Sequence, residues 1–306
     1  MTPLRVGVIG AGRVGAVLAS ALRSRGHQIV SVAGESDASL RRIHDLLPGV
    51  HVAKPTAVAR SCDVLLLTVP DDMLENVVTQ LAASGALRAG QFAVHTSGSH
   101  GLRVLESARR IGVRPVAMHP AMTFTGSTRD LDRLPECVFG VTAGPAEAEW
   151  AEQLVRELGA DVMWVAEERR SLYHAGLAHG ANHLVTLVSQ AMELLSRAGA
   201  DDPAAILRPL LEASLDNALT DGDAALTGPI VRGDVNTVRA HLAEIAATAP
   251  DTLRSYVALA HDTLDRVVTD GRVLPIRAAT MRRVLDEALA GVEPPAVAPP
   301  RRTPLR

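Results

Sequence analysis

The sequence predicts an α/β protein in which a doubly wound parallel sheet is followed by an all-helical domain. Three patterns carry this expectation. Residues 4–34 read as strand, glycine turn, amphipathic helix and second strand. Up to about Ala166, short apolar runs alternate with helical stretches, the order that a parallel sheet with crossover helices requires. Beyond that point the chain is rich in Ala and Leu at helical spacing and offers no further strand-like run. The expected organisation is a sheet domain over residues 1–166, a helical domain over 167–290, and a proline-rich, polar flexible tail over 291–306.

The first element is the β-branched run LRVGVIG, which ends in a turn and then a helix spelling Gly10-Ala11-Gly12-Arg13-Val14-Gly15. Gly10 permits the tight turn and Gly12 lets the backbone approach a pyrophosphate. Gly15 lets the helix pack closely on the strand while its N-terminus faces the phosphates. A bare GxGxxG says little. Here it follows a strand, opens a helix and precedes the strand HQIVSVAG, which is the context of a Rossmann-type dinucleotide cradle.

The tip of that second strand faces an adenosine ribose and selects the cofactor. It reads Ala33-Gly34-Glu35-Ser36, followed by Arg41 and Arg42. Small residues leave room for a 2′-phosphate, Ser36 can donate to it and the arginines can reach it, which favours NADP. Glu35 is the residue that would suit NAD, so NAD stays open. Arg41 and Arg42 also fit a solvated helix face.

The alternation continues with a strand from Asp63 to Val69, ending in Pro70-Asp71-Asp72, where an aspartate can cap the helix beginning near Met73. QFAVHTSGSHG and RPVAMHPAMTFTG each read as strand followed by a polar turn. CVFGVTAG, AEAEWAEQLVRELG and ADVMWVA then add a strand, a helix and a last strand. Ligands of parallel α/β sheets lie off the carboxyl ends of the strands. Val69-Pro70, Thr96-Ser97-Gly98 and His119-Pro120 should therefore line one crevice, with Val69 and Pro70 on the cofactor side.

Composition excludes several classes. A net charge of −3 and seven aromatic residues argue against a nucleic-acid or anionic-membrane partner. Two cysteines, Cys62 and Cys137, are too few for a disulfide framework or a thiolate zinc site, and fit a reducing cytoplasm. The N-terminus enters a strand directly without a signal-peptide pattern, and no apolar run approaches a membrane span. Lys54 is the single lysine.

In the back half one long helix is expected from Glu167 to about Ala198, then helices over 202–219, 235–247, 252–269 and 274–290. His179 and His183 stand four apart on one face, but they lack the Glu of a metalloprotease helix and a third ligand, so no metal site is assigned. Asn182, on an otherwise apolar helix, would be costly to bury unless something bound to it. LTGPIVRGD, residues 226–234, interrupts this helical half with two glycines and a proline, and carries Arg232 and Asp234. Asp234 suits the cap of the next helix with Arg232 solvated; equally, the pair could handle a charged ligand.

GAGRVG, LLLTVPDD, HTSG, the His-Pro strand end and a long helix with Asn182 resemble the oxidoreductases that share the 6-phosphogluconate dehydrogenase C-terminal fold, among them pyrroline-5-carboxylate, ketopantoate and 3-hydroxyacid reductases. HTSG, YHAGLAHGANHLV and LTGPIVRGD together resemble a branch described as Rossmann-like with a C-terminal domain of unknown function 2520. The resemblance covers nearly all of residues 4–290. It implies an NAD(P)-dependent reductase, a homodimer formed through the helical domain, and a small-molecule substrate held between the two domains. Ketopantoate is the best single guess. Hydroxyacid and ketopantoate reductases place a catalytic lysine on the first long helix, and this helix has none, so the proton donor must differ. Loss of catalysis, leaving a dinucleotide-binding regulator, is the alternative.

Reduction of a carbonyl or imine needs a proton donor beside the hydride. His119 fits as an imidazole titrating near neutrality at a strand end, or else as a His-Pro turn that only shapes a loop. Asn182 would bind the carbonyl oxygen or orient the nicotinamide amide, with Ser97 assisting and with His179 and Tyr173 as reserve donors. By the resemblance, Thr227 and the backbone after Gly228 meet the substrate, with Arg232 as the cation, Asp234 orienting it, and His179 nearby.

Overall fold

The computed structural model describes residues 1–290; the expected tail over 291–306 lies outside them. Two compact units divide at Asn182/His183. In the first, β1 (Arg5–Ile9) leads into α1 (Arg13–Ser24), β2 (Gln28–Ala33), α2 (Asp37–Leu46), α3 (Pro55–Ser61), β3 (Val64–Leu67), α4 (Asp71–Ala83) and β4 (Phe92–His95). A short α5 (Glu106–Arg109), β5 (Arg114–Pro120), α6 (Arg129–Arg133), β6 (Val138–Ala143), α7 (Ala148–Glu157), β7 (Asp161–Trp164) and α8 (Arg170–Leu177) complete it.

The seven strands form one sheet in the order β2-β1-β3-β4-β5-β6-β7. β1 pairs in parallel with both β2 and β3, so the winding direction reverses beside β1. Side-chain alternation explains the double winding. Val6, Val8, Leu66, Val94 and Met118 face one layer with α1 and α7. Ile9, Leu65, Leu67 and Ala93 face the other with α3 and α4.

The sheet is not parallel throughout. β5 and β6 pair antiparallel, with His119 opposite Gly140, and β7 runs parallel to β6. The connection between β5 and β6 carries only the short α6 and a 3₁₀ turn, so the chain doubles back at the carboxyl end of β5 instead of crossing over.

The helix expected over 167–198 is also divided. A 3₁₀ turn at Glu167–Arg169 precedes α8, a π-helical turn spans Ala178–Asn182, and α9 (His183–Arg197) opens the second unit. α8 belongs with the sheet, not with the helical unit as the boundary at 166 implied. The reason is side-chain bonding: Arg170 is tied to β6 and to the end of β4, and Glu167 accepts from the Leu102 and Arg103 amides.

The second unit continues with α10 (Pro203–Asp221), α11 (Val235–Thr248), α12 (Pro250–Thr269) and α13 (Pro275–Leu289), close to the expected bounds. Its core is Val238, Leu242, Leu253, Val257, Leu264, Met281 and Leu285 on α11–α13, joined by Val273 from the connection between α12 and α13. No residue of α9 is buried and only Leu207 of α10 is. Among the described residues no helix is long and apolar enough to cross a membrane.

Candidate functional site

A cleft of about 740 Å³ opens at the reversal point beside β1, lined by Gly10, Ala11, Gly12, Arg13, Val14, Gly34, Glu35, Ser39, Thr68, Val69 and Pro70 among others. Gly10 has φ +99, and a Cβ there would stand 2.7 Å from the Thr68 backbone. Gly15 lies buried beneath the cleft, where a Cβ would collide with Thr68 Oγ1 and the Gly10 carbonyl. Thr68 donates to that same carbonyl and stitches the end of β3 to the turn.

This cradle passes a simple fit test for a pyrophosphate. Gly12 is the N-cap of α1 and offers no capping side chain, and nothing lies within 4 Å of where its Cβ would be. The first amides of α1 are left for an anion, at the end of the helix where the dipole favours one.

Ser36 does not face the cleft as expected. Its hydroxyl accepts from the Ser39 amide at 3.2 Å and donates to Ser39 Oγ, capping α2. Arg41 is exposed, while the Arg42 and Arg13 side chains both pack on Gly126. These two cations thus meet at Gly126, and Arg13 also lines the cleft.

A second cavity, of about 330 Å³, opens at the carboxyl end of β5 and is lined by His119, Met122, Thr123, His174, Ala181 and Asn182 together with Ala121, Leu177 and Ala178. His119 Nδ1 is 3.0 Å from the Tyr173 hydroxyl, and its ring meets His174 edge to face with centroids 5.7 Å apart. Two glycines make room for this cluster. A Cβ on Gly98 would stand 2.5 Å from the His174 ring and 3.1 Å from His119, and one on Gly140 would collide with the Tyr173 ring. Tyr173 and His174 come from α8, which is why the divided helix matters.

His119 does not titrate near neutrality. Burial, reinforced by the positive charge of Arg170, lowers its pKa to about 4, so it is neutral at physiological pH. Asn182 lines this cavity but is exposed, so the argument from a costly burial does not apply to it. His179 is exposed and is not among the lining residues.

Ser97 is buried and its hydroxyl is already engaged. It donates to Asp71 Oδ2 at 2.8 Å and accepts from the His100 amide at 3.1 Å. Asp71 does not cap α4, whose N-cap is Pro70; it instead accepts from Ser97 and Ser99. Burial works against its charge, but those two hydroxyls, with His100 and His174, hold the carboxyl below its ordinary range.

Beneath the turn, His95 accepts from the Ser97 amide and donates from Nε2 to the Gly101 carbonyl at 2.8 Å. Arg170, 1% exposed, donates to Gly140 O at 3.0 Å, to Thr142 Oγ1 at 3.3 Å and to Ser97 O. The residues that sequence reasoning missed are thus His95, Arg170 and His174. Only the helical spacing of Arg170, Tyr173 and His174 hinted at a shared role.

In the second unit Asp234 is the N-cap of α11. Its carboxylate accepts from the Thr237 amide at 3.1 Å and the Thr237 hydroxyl at 2.6 Å, bonds that hold its pKa below the ordinary value. The cap is thus formed, and the charge of Arg232 also acts on this carboxylate. Arg232 is exposed. Gly228 has φ +98 and opens a helical turn in which its carbonyl accepts from the Arg232 amide. Thr227 lines a largely apolar cavity of about 430 Å³ with Leu187, Leu194, Tyr256 and Leu259. Among the described residues no group of three or more His, Cys, Asp or Glu is placed to hold a metal ion.

The winding and the glycine turn define the first unit as Rossmann-type. Residues 1–120 match the family described as Rossmann-like domain, and residues 137–263 match the domain of unknown function DUF2520. The chain is therefore a Rossmann-like domain joined to a DUF2520 domain. Among solved structures it is similar to a protein from Bacteroides fragilis named as an NADP oxidoreductase, at 22% identity and TM-score 0.74, covering 86% of this chain and 98% of that one. It is also similar to a reductive aminase from Aspergillus terreus in complex with NADPH and ethyl levulinate (18%, TM-score 0.62, 92% and 99%). A third is the pyrroline carboxylate reductase of Plasmodium falciparum with NADP bound (11%, TM-score 0.55, 93% and 99%). No curated protein matches the chain. At these identities the likeness establishes the fold.

Proposed function

We propose that the protein is an NADPH-dependent reductase of a small keto or imino acid. The observation that carries this reading is a juxtaposition on one sheet edge: an uncapped glycine cradle beside β1 and β3, and a His119–Tyr173–His174 cluster at the ends of β4 and β5. Gly10, Ala11, Gly12, Arg13, Val14, Val69 and Pro70 would hold the dinucleotide over buried Gly15. When bound, its reduced nicotinamide supplies a hydride. The names of the similar structures support the phosphorylated cofactor, and so do Arg13 and Arg42, which meet at Gly126, Arg13 also lining the cleft.

The chain's own residues supply the rest. Neutral His119 orients the Tyr173 hydroxyl, Asn182 offers an amide to the substrate, and Ser97 fixes the turn through Asp71. Thr227, the backbone after Gly228 and Arg232 are, by the resemblance, the helical unit's own candidates for a carboxylate ligand. The protein acts as a homodimer through its helical unit, a reading supported by the apolar side chains left exposed on α9 and α10: Val185 at 67%, Leu210 at 61% and Leu219 at 79%.

The test is NADPH oxidation with a panel of keto and imino acids that includes ketopantoate, alongside NADPH binding. Turnover with at least one member is expected, and His119→Ala should reduce it roughly 100-fold or more while binding persists. NADPH binding without turnover on any member overturns the reductase reading and favours a regulatory dinucleotide-binding protein, as the missing helix lysine would then suggest.

A further inference from the structure

Arg170 is a buried cation without a buried anion. Its guanidinium is 1% exposed, its Nη atoms reach two carbonyls and one hydroxyl, and its Nε finds no partner. Glu167 and Asp71 act on its charge from farther away, and neither forms a salt bridge with it among the described residues. An unpaired N–H in such a position costs about 1–3 kcal/mol, and a buried charge costs more unless it is compensated. A purely structural tie between β4, β6 and α8 could be made with neutral groups.

What the charge does face is Tyr173, one turn along α8, with the guanidinium carbon 5.7 Å from the ring centroid. The phenol lies over Gly140 and bonds His119 Nδ1.

We propose that Arg170 is a positioning residue whose charge prepares Tyr173 to act as the proton donor of the reduction. The inference rests on the reductase reading. In the step, the Tyr173 O–H bond breaks and an O–H or N–H bond forms on the substrate atom whose π bond is lost. The electron pair for the new C–H bond arrives with the hydride of the reduced dinucleotide. Tyr173 is left as a phenolate beside the Arg170 charge, with the His119 N–H donating to it, and a proton from solvent restores the phenol.

The groups facing this pair agree with the assignment. Burial raises the Tyr173 pKa, and Arg170 is the largest influence that lowers it. The same cation helps keep His119 neutral, beside His174 and with Asp71 acting in the opposite sense. Cys137, which also faces Tyr173, is pushed up to about 11 by burial and stays a neutral thiol. Arg170 thus favours the charged form of the phenol and the uncharged form of the imidazole, the pairing a tyrosine donor needs.

The test reads the phenol directly. The chain has two tyrosines, Tyr173 and Tyr256, so Tyr256→Phe leaves one to titrate by ultraviolet absorbance in the full-length protein. In that background Arg170→Gln should raise the Tyr173 pKa by about one unit or more, a tenfold loss of acidity. Thr142→Asp, which keeps Arg170 in place and gives it a carboxylate, should act in the same direction if the first variant fails to fold. Each should also lower kcat at least tenfold with little change in NADPH affinity, and shift the basic limb of the pH–rate profile by the same amount as the titration.

An unmoved Tyr173 titration in a folded variant overturns the proposal and leaves Arg170 a structural tie. The titration needs neither cofactor nor substrate. If it moves while no panel member is turned over, the reductase reading fails and the electrostatic coupling stands.

Discussion

In the first unit Arg170, His95 and Asp130 are buried, and almost every polar atom they carry is bonded; in the second, no residue of α9 is buried and α10 leaves Leu219 79% exposed. The sheet unit holds nearly all of the buried polar groups, whereas α9 and α10 leave most of their apolar side chains in water. Burying His95 and Arg170 fixes the turns beside the His119–Tyr173–His174 cluster, which is worthwhile only where geometry must be held. Leaving Ile206, Leu210 and Leu215 in water fits a surface completed by another copy of the chain.

The comparison breaks most sharply at the cradle. Gly15→Val forces a side chain into Thr68 and the Gly10 carbonyl, an overpacking that costs about 1–3 kcal/mol or more. NADPH affinity measured by fluorescence should fall at least tenfold while the helical unit keeps its far-ultraviolet signal. Undiminished affinity would mean that the glycine turn is only structural.

The helical side is sharpened by charge. Leu210→Asp with Leu219→Asp should halve the mass seen by sedimentation equilibrium, because a carboxylate in an apolar interface is not readily desolvated. A monomeric parent protein would remove the contrast.

Acid then separates the units by stability. His95 and His119 are held neutral with pKa values near 4, against 6.5 when exposed. The unfolded chain therefore binds more protons than the folded one between these values, so the stability they contribute is full above pH 6.5 and is lost as pH falls toward 4. The buried His95 accounts for on the order of 3 kcal/mol of this. Urea titrations from pH 7 to pH 4 should show the loss, and His95→Gln should flatten the slope over that window even if it lowers stability throughout.

The smallest effect is at the cap. Asp234→Ala should lower stability slightly, read as a small drop in the urea midpoint, by removing the Thr237 bonds. A large rise in KM with no loss of stability would instead return Asp234 to the substrate.

Much of the cradle was legible because its determinants are adjacent in sequence: a strand, three glycines and a helix within residues 5–24. The helices of the second half were legible for the same reason, and Asp234 as a cap needed only Thr237. Errors arose where a local signal had two uses. Ser36, expected at the cofactor, caps α2 through Ser39, and Asp71, at a helix start where an aspartate was expected to cap, bonds Ser97 instead, since the choice depends on which partner lies within reach.

The α/β and helical halves and the glycine turn could be read from the sequence, because periodicity and turn chemistry are properties of neighbouring residues; the strand ends expected in one crevice are divided between two cavities, Val69, Pro70 and Thr96 in one and His119 in the other. The His119–Tyr173–His174 cluster came only with the folded chain. His119 meets Tyr173 across 54 positions and Arg170 meets Ser97 across 73. A pKa near 4 for His119 follows from burial and a buried cation, which exist only once distant segments have closed around it.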